Sequence, residues 1–166
     1  EIGMDHFALP QDSLYKAMKV GKLHRNFMGY LETRTDVLLG MGVSAISEAP
    51  TCFHQNEKVL PVYERQVDGG NIPTLRGHLL TDEDRRQREQ ILEFMTTSRV
   101  RLWSPEQESD VKEFLASMIE DEIVRVEGGY LQLTSQGMPF LRNVCMALDL
   151  RMRRQQPQVK VFSQSM

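Results

Sequence analysis

Cysteine is scarce in this chain: its 166 residues include two, Cys52 and Cys145, far apart in sequence. No CxxC or CxxxCxxC spacing exists, which excludes an iron–sulfur cluster or a zinc site built on a local motif. Both cysteines stand in apolar contexts (Thr51-Cys-Phe53 and Val144-Cys-Met146), which predicts buried, reduced thiols in a cytoplasmic protein, a disulfide between them being the alternative. Long apolar runs are also absent; none approaches the roughly 20 residues that cross a bilayer, so no membrane span is expected. There is no basic n-region at the start, where Glu1 and Asp5 stand, and Pro10 interrupts the apolar stretch, so the beginning does not read as a signal peptide. A positive excess is missing as well. The formal charge of −3 gives no general reason to expect nucleic acid or an acidic membrane as a partner. The first residue is Glu rather than Met, and an apolar, strand-like segment follows at once. The expectation is therefore a piece of a longer chain, cut near a domain edge.

What is present is ordinary for a globular protein, 40% hydrophobic and 26% charged, enough for one or two small domains. Ile2–Ala8 reads as a short strand stopped by Pro10. Asp12 or Ser13 can cap a helix with Leu14, Ala17 and Met18 on one face, closed by Gly21. Leu23–Tyr30 reads as extended or loop. Val37–Ile46 is a continuous apolar run, broken by Gly40 and Gly42, of the kind that suits a strand buried on both faces of a parallel sheet. Gln55–Asp68 reads as helix, regular from Pro61, which fits a first turn, and ended by Gly69-Gly70-Asn71. Residues 72–80 read as a link. Strand, helix, strand is the grammar of an α/β barrel or a doubly wound sheet.

The second half is richer in charge. Thr81-Asp-Glu-Asp84 is a capping-box start, with Ile91, Leu92 and Met95 on that helix's apolar face. Val111, Phe114, Leu115, Met118 and Ile119 form a helical stripe. Ile123–Val126 and Tyr130–Leu133 alternate on either side of Gly128-Gly129, a β-hairpin signal. A last helix carries Phe140, Leu141, Val144, Cys145 and Leu148. Helix, helix, two-stranded wing, helix is a winged-helix-like order. DNA binding is excluded by charge: the helix in the recognition position, Asp110–Glu122, carries Asp110, Glu113, Glu120, Asp121 and Glu122 against Lys112 alone, and a duplex would repel it. Arg142, Arg151, Arg153 and Arg154 lie on the last helix and read as a solvated or interdomain face.

Three segments carry candidate chemistry. In Met4-Asp-His-Phe7, a strand ending near Phe7 would project Asp5 or His6 into the site that α/β barrels build at their strand ends; the alternative is a structural hydrogen-bonded pair. In His24-Arg-Asn-Phe27, with Tyr30, Arg25 and His24 beside Asn26 can hold carboxylates through the guanidinium fork and charge-assisted bonds; the alternative is a surface loop paired to its own fold. Gly40-Met-Gly42 is not a dinucleotide loop, because GxGxxG and a lysine are both missing. Its glycines let backbone come close to a ligand or to a neighbouring element.

Taken together and in order, these segments resemble the oxygen-independent coproporphyrinogen III oxidases, radical S-adenosylmethionine (SAM) enzymes of haem synthesis. The similarity is carried by Ile2-Gly-Met-Asp-His-Phe-Ala8, His24-Arg-Asn-Phe-Met-Gly-Tyr30 and Val37-Leu-Leu-Gly-Met-Gly-Val-Ser-Ala-Ile-Ser47. It continues through Gln55-Asn56 with Lys58, Gln66-Val-Asp68, Arg76-Gly77, Leu80-Thr81, Leu133-Thr134 with Gly137, and Arg142-Asn143-Val-Cys-Met146 with Asp149. The haem-chaperone branch of the superfamily tends to carry His-Asn followed by Tyr-Trp where this chain has His-Arg-Asn-Phe, which favours the oxidase.

The resemblance implies a fold in which the last strands of a partial β/α barrel (1–54) lead through a connecting helix and linker (55–80) into a mostly helical, winged-helix-like C-terminal domain (81–154) and a tail (155–166). It implies a [4Fe–4S] cluster and SAM in the parent enzyme. Reductive cleavage of SAM there gives a 5′-deoxyadenosyl radical, which takes a hydrogen from a propionate; loss of CO₂ leaves a vinyl group. Two rounds turn coproporphyrinogen III into protoporphyrinogen IX. An electron donor and the N-terminal barrel portion are the implied partners. Ile46 matches an isoleucine among the family's SAM contacts; Arg25, His24, Asn26, Asp5 and His6 are the candidates for the substrate cavity. The cluster cysteines and the glycine-rich SAM motif are not in this chain, so it carries no catalytic or metal residue and is expected to be inert alone, and to self-associate through uncovered barrel surface. Two other readings stand beside the enzyme: a haem-binding or haem-delivery paralogue, and a winged-helix interaction domain.

Overall fold

The computed structural model describes residues 1–4 and 6–155. They form two compact units, residues 11–86 and residues 1–10 together with those from 87 onward.

In the first unit, helix α1 (Ser13–Lys19) starts where the Asp12 carboxylate accepts the Leu14 N–H at 2.8 Å, satisfying one of the orphan donors of a helix start. It buries Ala17 and is capped at Val20, with Gly21 following at φ +66°. Strands β1 (His24–Asn26) and β2 (Gly29–Leu31) form a tight antiparallel hairpin in the segment that reads as extended or loop from sequence. A three-stranded antiparallel sheet follows in the order β3-β4-β5, built from β3 (Ile46–Ala49), β4 (Cys52–Asn56) and β5 (Thr74–Leu79). Helix α2 (Leu60–Asp68) lies between β4 and β5 in sequence, with Pro61 in its first turn. Helix α3 (Asp82–Thr97) opens on the expected capping box: the Asp84 N–H donates to Thr81 Oγ1 at 3.1 Å, and the Thr81 N–H donates to Asp84 Oδ2 at 2.9 Å.

Several expectations are corrected here. Val37–Ile46 is not a strand buried on two faces: Val37, Leu39 and Met41 are exposed, Met41 to 92%. Leu38 bridges to Glu48, exchanging both backbone bonds at 2.8 Å, and the run joins a ladder only at its end, where Ile46 opens β3. The run cannot stay extended because Gly42 (φ +100°) and Ser44 (φ +61°) turn the chain back, so its hydrophobicity does not become a sheet interior. All sheets among the described residues are antiparallel. Gln55 and Asn56 end a strand rather than begin a helix, and the predicted link at 72–80 contains β5. The described residues of 2–8 form no strand: Gly3 and His6 make an isolated antiparallel bridge, Met4 stands at φ +54°, and the Ile2 N–H donates to the His6 carbonyl at 2.9 Å.

The second unit contains the main core. After α3 come β6 (Arg99–Arg101), α4 (Pro105–Phe114), α5 (Ala116–Glu120), β7 (Val124–Glu127) and β8 (Tyr130–Leu133). A 3-10 turn at Met138–Phe140, α6 (Leu141–Cys145) and α7 (Leu150–Gln155) follow. The sheet order is β6-β8-β7. Gly128 and Gly129, both at positive φ, make the two-residue turn predicted for the hairpin. Phe94, Val100, Val111, Leu115, Val124, Leu131, Leu141, Val144 and Leu148 are all at most 1% exposed; such burial contributes roughly 1.5–3 kcal/mol for each large apolar side chain. An amide pair, Gln90 buried and Gln107 half-buried, pins α3 to this core. Gln90 donates to the Arg101 carbonyl at 2.9 Å and accepts from Gln107 at 2.9 Å, while Gln107 also receives the Trp103 N–H at 2.7 Å. Cys145 is buried and Cys52 half-buried, and neither is in a disulfide.

The stripe predicted on one helix is split at Leu115 between α4 and α5, and Phe114 leaves it, 41% exposed. Its ring instead carries the Arg153 guanidinium, 4.5 Å from the centroid. Arg153, expected on a solvated or interdomain face, forms a bidentate pair with Asp110, at 2.5 and 2.8 Å. The hydrogen bonds from Arg153 hold the Asp110 carboxyl below the usual carboxylate range, against a smaller opposing effect of burial. A depressed carboxyl stabilises the fold above its unfolded pKa, and that contribution is lost as pH falls through the folded value. Asp110→Asn is therefore expected to cost about 0.5–1 kcal/mol at neutral pH, because the pair is partly exposed. The difference from wild type in urea unfolding should shrink as pH falls below the ordinary Asp value of about 3.9 and vanish once the folded carboxyl is protonated too.

Candidate functional site

The hairpin β1–β2 and the edge of β3 hold four of the sequence-derived candidates within the 11–86 unit. Arg25 pairs across the hairpin with Tyr30, and its guanidinium lies 4.6 Å from the centroid of the Tyr30 ring, a cation–π contact that fixes the fork's plane. Tyr30 is buried. Arg25 Nη1 is buried without a hydrogen-bond partner among the described residues. Such a donor normally finds an acceptor, since leaving it unpaired is costly. His24, half-buried, pairs with Leu31. Asn26 is committed to its own turn: its Oδ1 accepts the Met28 N–H at 2.8 Å and its Nδ2 donates to Thr35 Oγ1 at 3.2 Å. The hairpin tip rests on the neighbouring sheet. The Phe27 ring stands edge-on to Phe53 at 5.3 Å, and the Phe27 N–H donates to the buried Glu48 carboxylate at 3.4 Å.

Ile46 opens β3, half-buried, opposite Gln55. The Asn56 N–H donates to the Ala45 carbonyl at 2.9 Å, which makes Ala45–Asn56 a hydrogen-bonded pair. By the alternation of an antiparallel ladder, the Ile46 N–H and C=O then point away from β4. They face Gly40. A Cβ added to Gly40 would lie 2.5 Å from the Ile46 carbonyl oxygen and 2.9 Å from its nitrogen. Of the two roles expected for the glycines, Gly40 thus serves close approach to a neighbouring strand. Glu48, Gln55, Asn56 and Arg76 are the residues sequence reasoning missed as part of this region. Gln55 donates to the Ser44 carbonyl at 3.1 Å and accepts from Arg76 Nε at 2.9 Å. The conjunction of Gln55-Asn56 with a glycine-rich turn just upstream was the available signal.

His6 falls in the other compact unit, where its N–H donates to the Gly3 carbonyl at 3.0 Å. Asp5 lies outside the described residues. Among the described residues no group of three or more His, Cys, Asp or Glu is arranged to hold a metal. With two cysteines in all, the residues here do not fit a [4Fe–4S] cluster. No helix among the described residues is long and apolar enough to cross a membrane.

No family model matches the chain. In fold it is similar to a radical SAM enzyme. The solved structure is that of coproporphyrinogen III oxidase (HemN) from Escherichia coli, with a TM-score of 0.81 and 38% identity, covering 90% of this chain and 37% of that one. In sequence the chain is a homologue of one segment of the oxygen-independent coproporphyrinogen III oxidases. It is 38% identical to that of Escherichia coli K12 over 98% of this chain and 37% of the relative. It is 35% identical to that of Cereibacter sphaeroides over 90% of this chain and 35% of the relative. The chain thus spans little more than a third of the curated relatives it matches, and a C-terminal portion fits.

Proposed function

We propose that this chain is the C-terminal portion of an enzyme that decarboxylates coproporphyrinogen III to protoporphyrinogen IX by SAM radical chemistry in haem biosynthesis. The observation that carries the reading is homology along nearly the whole chain to enzymes of that name, at 38% identity for the Escherichia coli relative. In this reading residues 1–54 contribute the last strands of the parent's partial barrel, 55–80 connect, and 81–154 form a winged-helix-like domain; 155 belongs with the tail to 166. The order α3, β6, α4, α5, β7, β8 supports the winged-helix assignment. The parent works in the cytoplasm with an electron donor.

Within that enzyme, SAM when bound supplies the radical that takes hydrogen from a propionate. The residues of this chain bind and orient. Ile46 offers an apolar surface, with the strand-edge N–H and C=O beside it, suited to an adenine ring. Arg25 offers a desolvated guanidinium N–H to one carboxylate of the tetrapyrrole, pre-oriented by Tyr30. His24, Asn26, His6 and Asp5 are the further candidates for the cavity, Asn26 through its turn. The cluster belongs to the remainder of the parent.

The reading is tested on the coding sequence upstream of Glu1 and on the isolated segment. An in-frame CxxxCxxC followed by a glycine-rich strand–helix unit is expected upstream. The segment alone, given SAM and reductant, is expected to release no 5′-deoxyadenosine. An upstream sequence without the cysteine triplet, together with stoichiometric haem uptake in an absorbance titration, would replace the oxidase by a haem-delivery protein.

A further inference from the structure

We infer that Asn56 is a positioning residue for SAM, acting by holding the Gly40–Gly42 backbone against Ile46; the inference rests on the reading of Ile46 as a SAM contact. Asn56 sits at a shift of register between β4 and β5, at Gln55/Asn56. Such irregularities re-aim a side chain out of the ordinary ladder alternation. Its amide is buried, 5% exposed, and directed at the glycine turn. Nδ2 donates to the Gly40 carbonyl at 3.1 Å and to the Gly42 carbonyl at 2.8 Å. Two carbonyl acceptors on one atom require the –NH₂ there, so both of its N–H groups are spent on the turn. The main-chain N–H of the same residue holds Ala45. One residue therefore grips the chain on both sides of Met41 and again immediately before Ile46.

The other hydrogen bonds on the turn lie mostly at Ser44 or beyond: Gln55 donates to the Ser44 carbonyl at 3.1 Å, and the Ala45 N–H reaches the Gly42 carbonyl at 3.4 Å. The Gly40 N–H donates to Ser47 Oγ at 3.0 Å, and the Ser44 N–H to the Glu57 carbonyl at 2.7 Å. Met41 is almost fully exposed, so side-chain burial does not hold the loop at its tip. Glycines at 40 and 42 leave the backbone free to swing once their carbonyls are released. Gly40 is also the residue that faces the Ile46 N–H and C=O. If the clamp opens, that edge changes its shape and its partners while the β3–β4 ladder behind it persists. An Asn56 substitution should consequently be felt as a loss of SAM binding through Ile46, not as a loss of fold.

The experiment is equilibrium binding of SAM to the reconstituted full-length enzyme, with KM measured for SAM and for coproporphyrinogen III, in Asn56→Ala, Ile46→Ala and the double variant. Each single variant is expected to raise the SAM Kd and KM about tenfold, the scale of a lost buried hydrogen bond or apolar contact. The tetrapyrrole KM should not move. The double variant should be no worse than the weaker-binding single, because both act through one contact. Amide exchange at residues 40–46 should quicken in Asn56→Ala alone. Should that variant not fold, Asn56→Ser, which keeps one donor, is expected to give a smaller rise of the same kind. An Ile46→Ala effect with unchanged SAM binding in the Asn56 variants would overturn the inference and leave the SAM reading standing. Unchanged binding in Ile46→Ala would remove the reading and the inference with it, and fully additive losses would show that Asn56 does not act through Ile46.

Discussion

Replacing Arg25 by alanine in the full-length enzyme is expected to lower kcat/KM for coproporphyrinogen III by about 10- to 100-fold, the range spanned by a hydrogen bond to a charged group. The physical case lies in one atom. Arg25 Nη1 is withdrawn from solvent and has no protein acceptor among the described residues, while the guanidinium lies over the ring of Tyr30, 4.6 Å from its centroid. A donor in that state gains more from a carboxylate than an exposed arginine does, because its water has already been given up. Arg25→Lys should recover little, since an ammonium keeps the charge but not the planar fork. Tyr30→Phe keeps the ring face and should lose little. An Arg25→Ala enzyme with unchanged kcat/KM, by an assay of vinyl product, would assign the arginine to its own fold. That result would favour the interaction-domain reading of the chain.

The second large effect concerns stability. Gly137→Ala is expected to destabilise the unit that contains residues 87–155 by about 3 kcal/mol, the upper end of overpacking effects. An added Cβ would lie 2.2 Å from the Ile123 carbonyl oxygen and 2.8 Å from Leu133 Cδ1. The leucine can give way, but the carbonyl cannot do so cheaply. Ile123 O accepts both the Thr134 N–H at 3.1 Å and the Thr134 hydroxyl at 3.0 Å. Thr134 in turn holds the Gly137 N–H. Moving the oxygen would release the link between the end of β8 and the start of β7. The demand on Gly137 is for space alone, since its φ of −78° suits any residue. Calorimetry should register a fall in melting temperature of about 10–20 °C for a domain of this size. A shift of a degree or two would mean that the Ile123 carbonyl yields freely.

These two positions also mark what the sequence can and cannot disclose. Local signals with a fixed geometry are legible. Thr81-x-x-Asp84 becomes a capping box, Gly128-Gly129 becomes the hairpin turn, and Pro61 opens a helix, because each is decided within four residues. Arg25 is legible as a carboxylate holder by its chemistry, whereas its pairing with Tyr30 needs the hairpin register, and the hairpin was hidden in a polar, aromatic stretch without alternation. Val37–Ile46 misleads because hydrophobicity records what a surface prefers, not which partner covers it; the run turns at Gly42 and Ser44 and stays largely exposed. β5 and β6 escape because Thr74–Leu79 and Arg99–Arg101 carry few of the apolar residues by which a strand announces itself. The need for glycine at 40 and 137 is invisible locally, since what forbids a side chain there is a carbonyl on another segment, at Ile46 and Ile123.

The central claim is that these residues work as the C-terminal part of a radical SAM decarboxylase. It is tested most directly by incubating the full-length protein with SAM, a low-potential reductant and coproporphyrinogen III without oxygen. Vinyl product, CO₂ and 5′-deoxyadenosine would be followed together. The account predicts all three, with two molecules of CO₂ released per protoporphyrinogen formed, and a loss of turnover in the Arg25 variant that leaves the protein folded. SAM cleavage without decarboxylation of the tetrapyrrole, or tight haem binding with no cleavage at all, would contradict it.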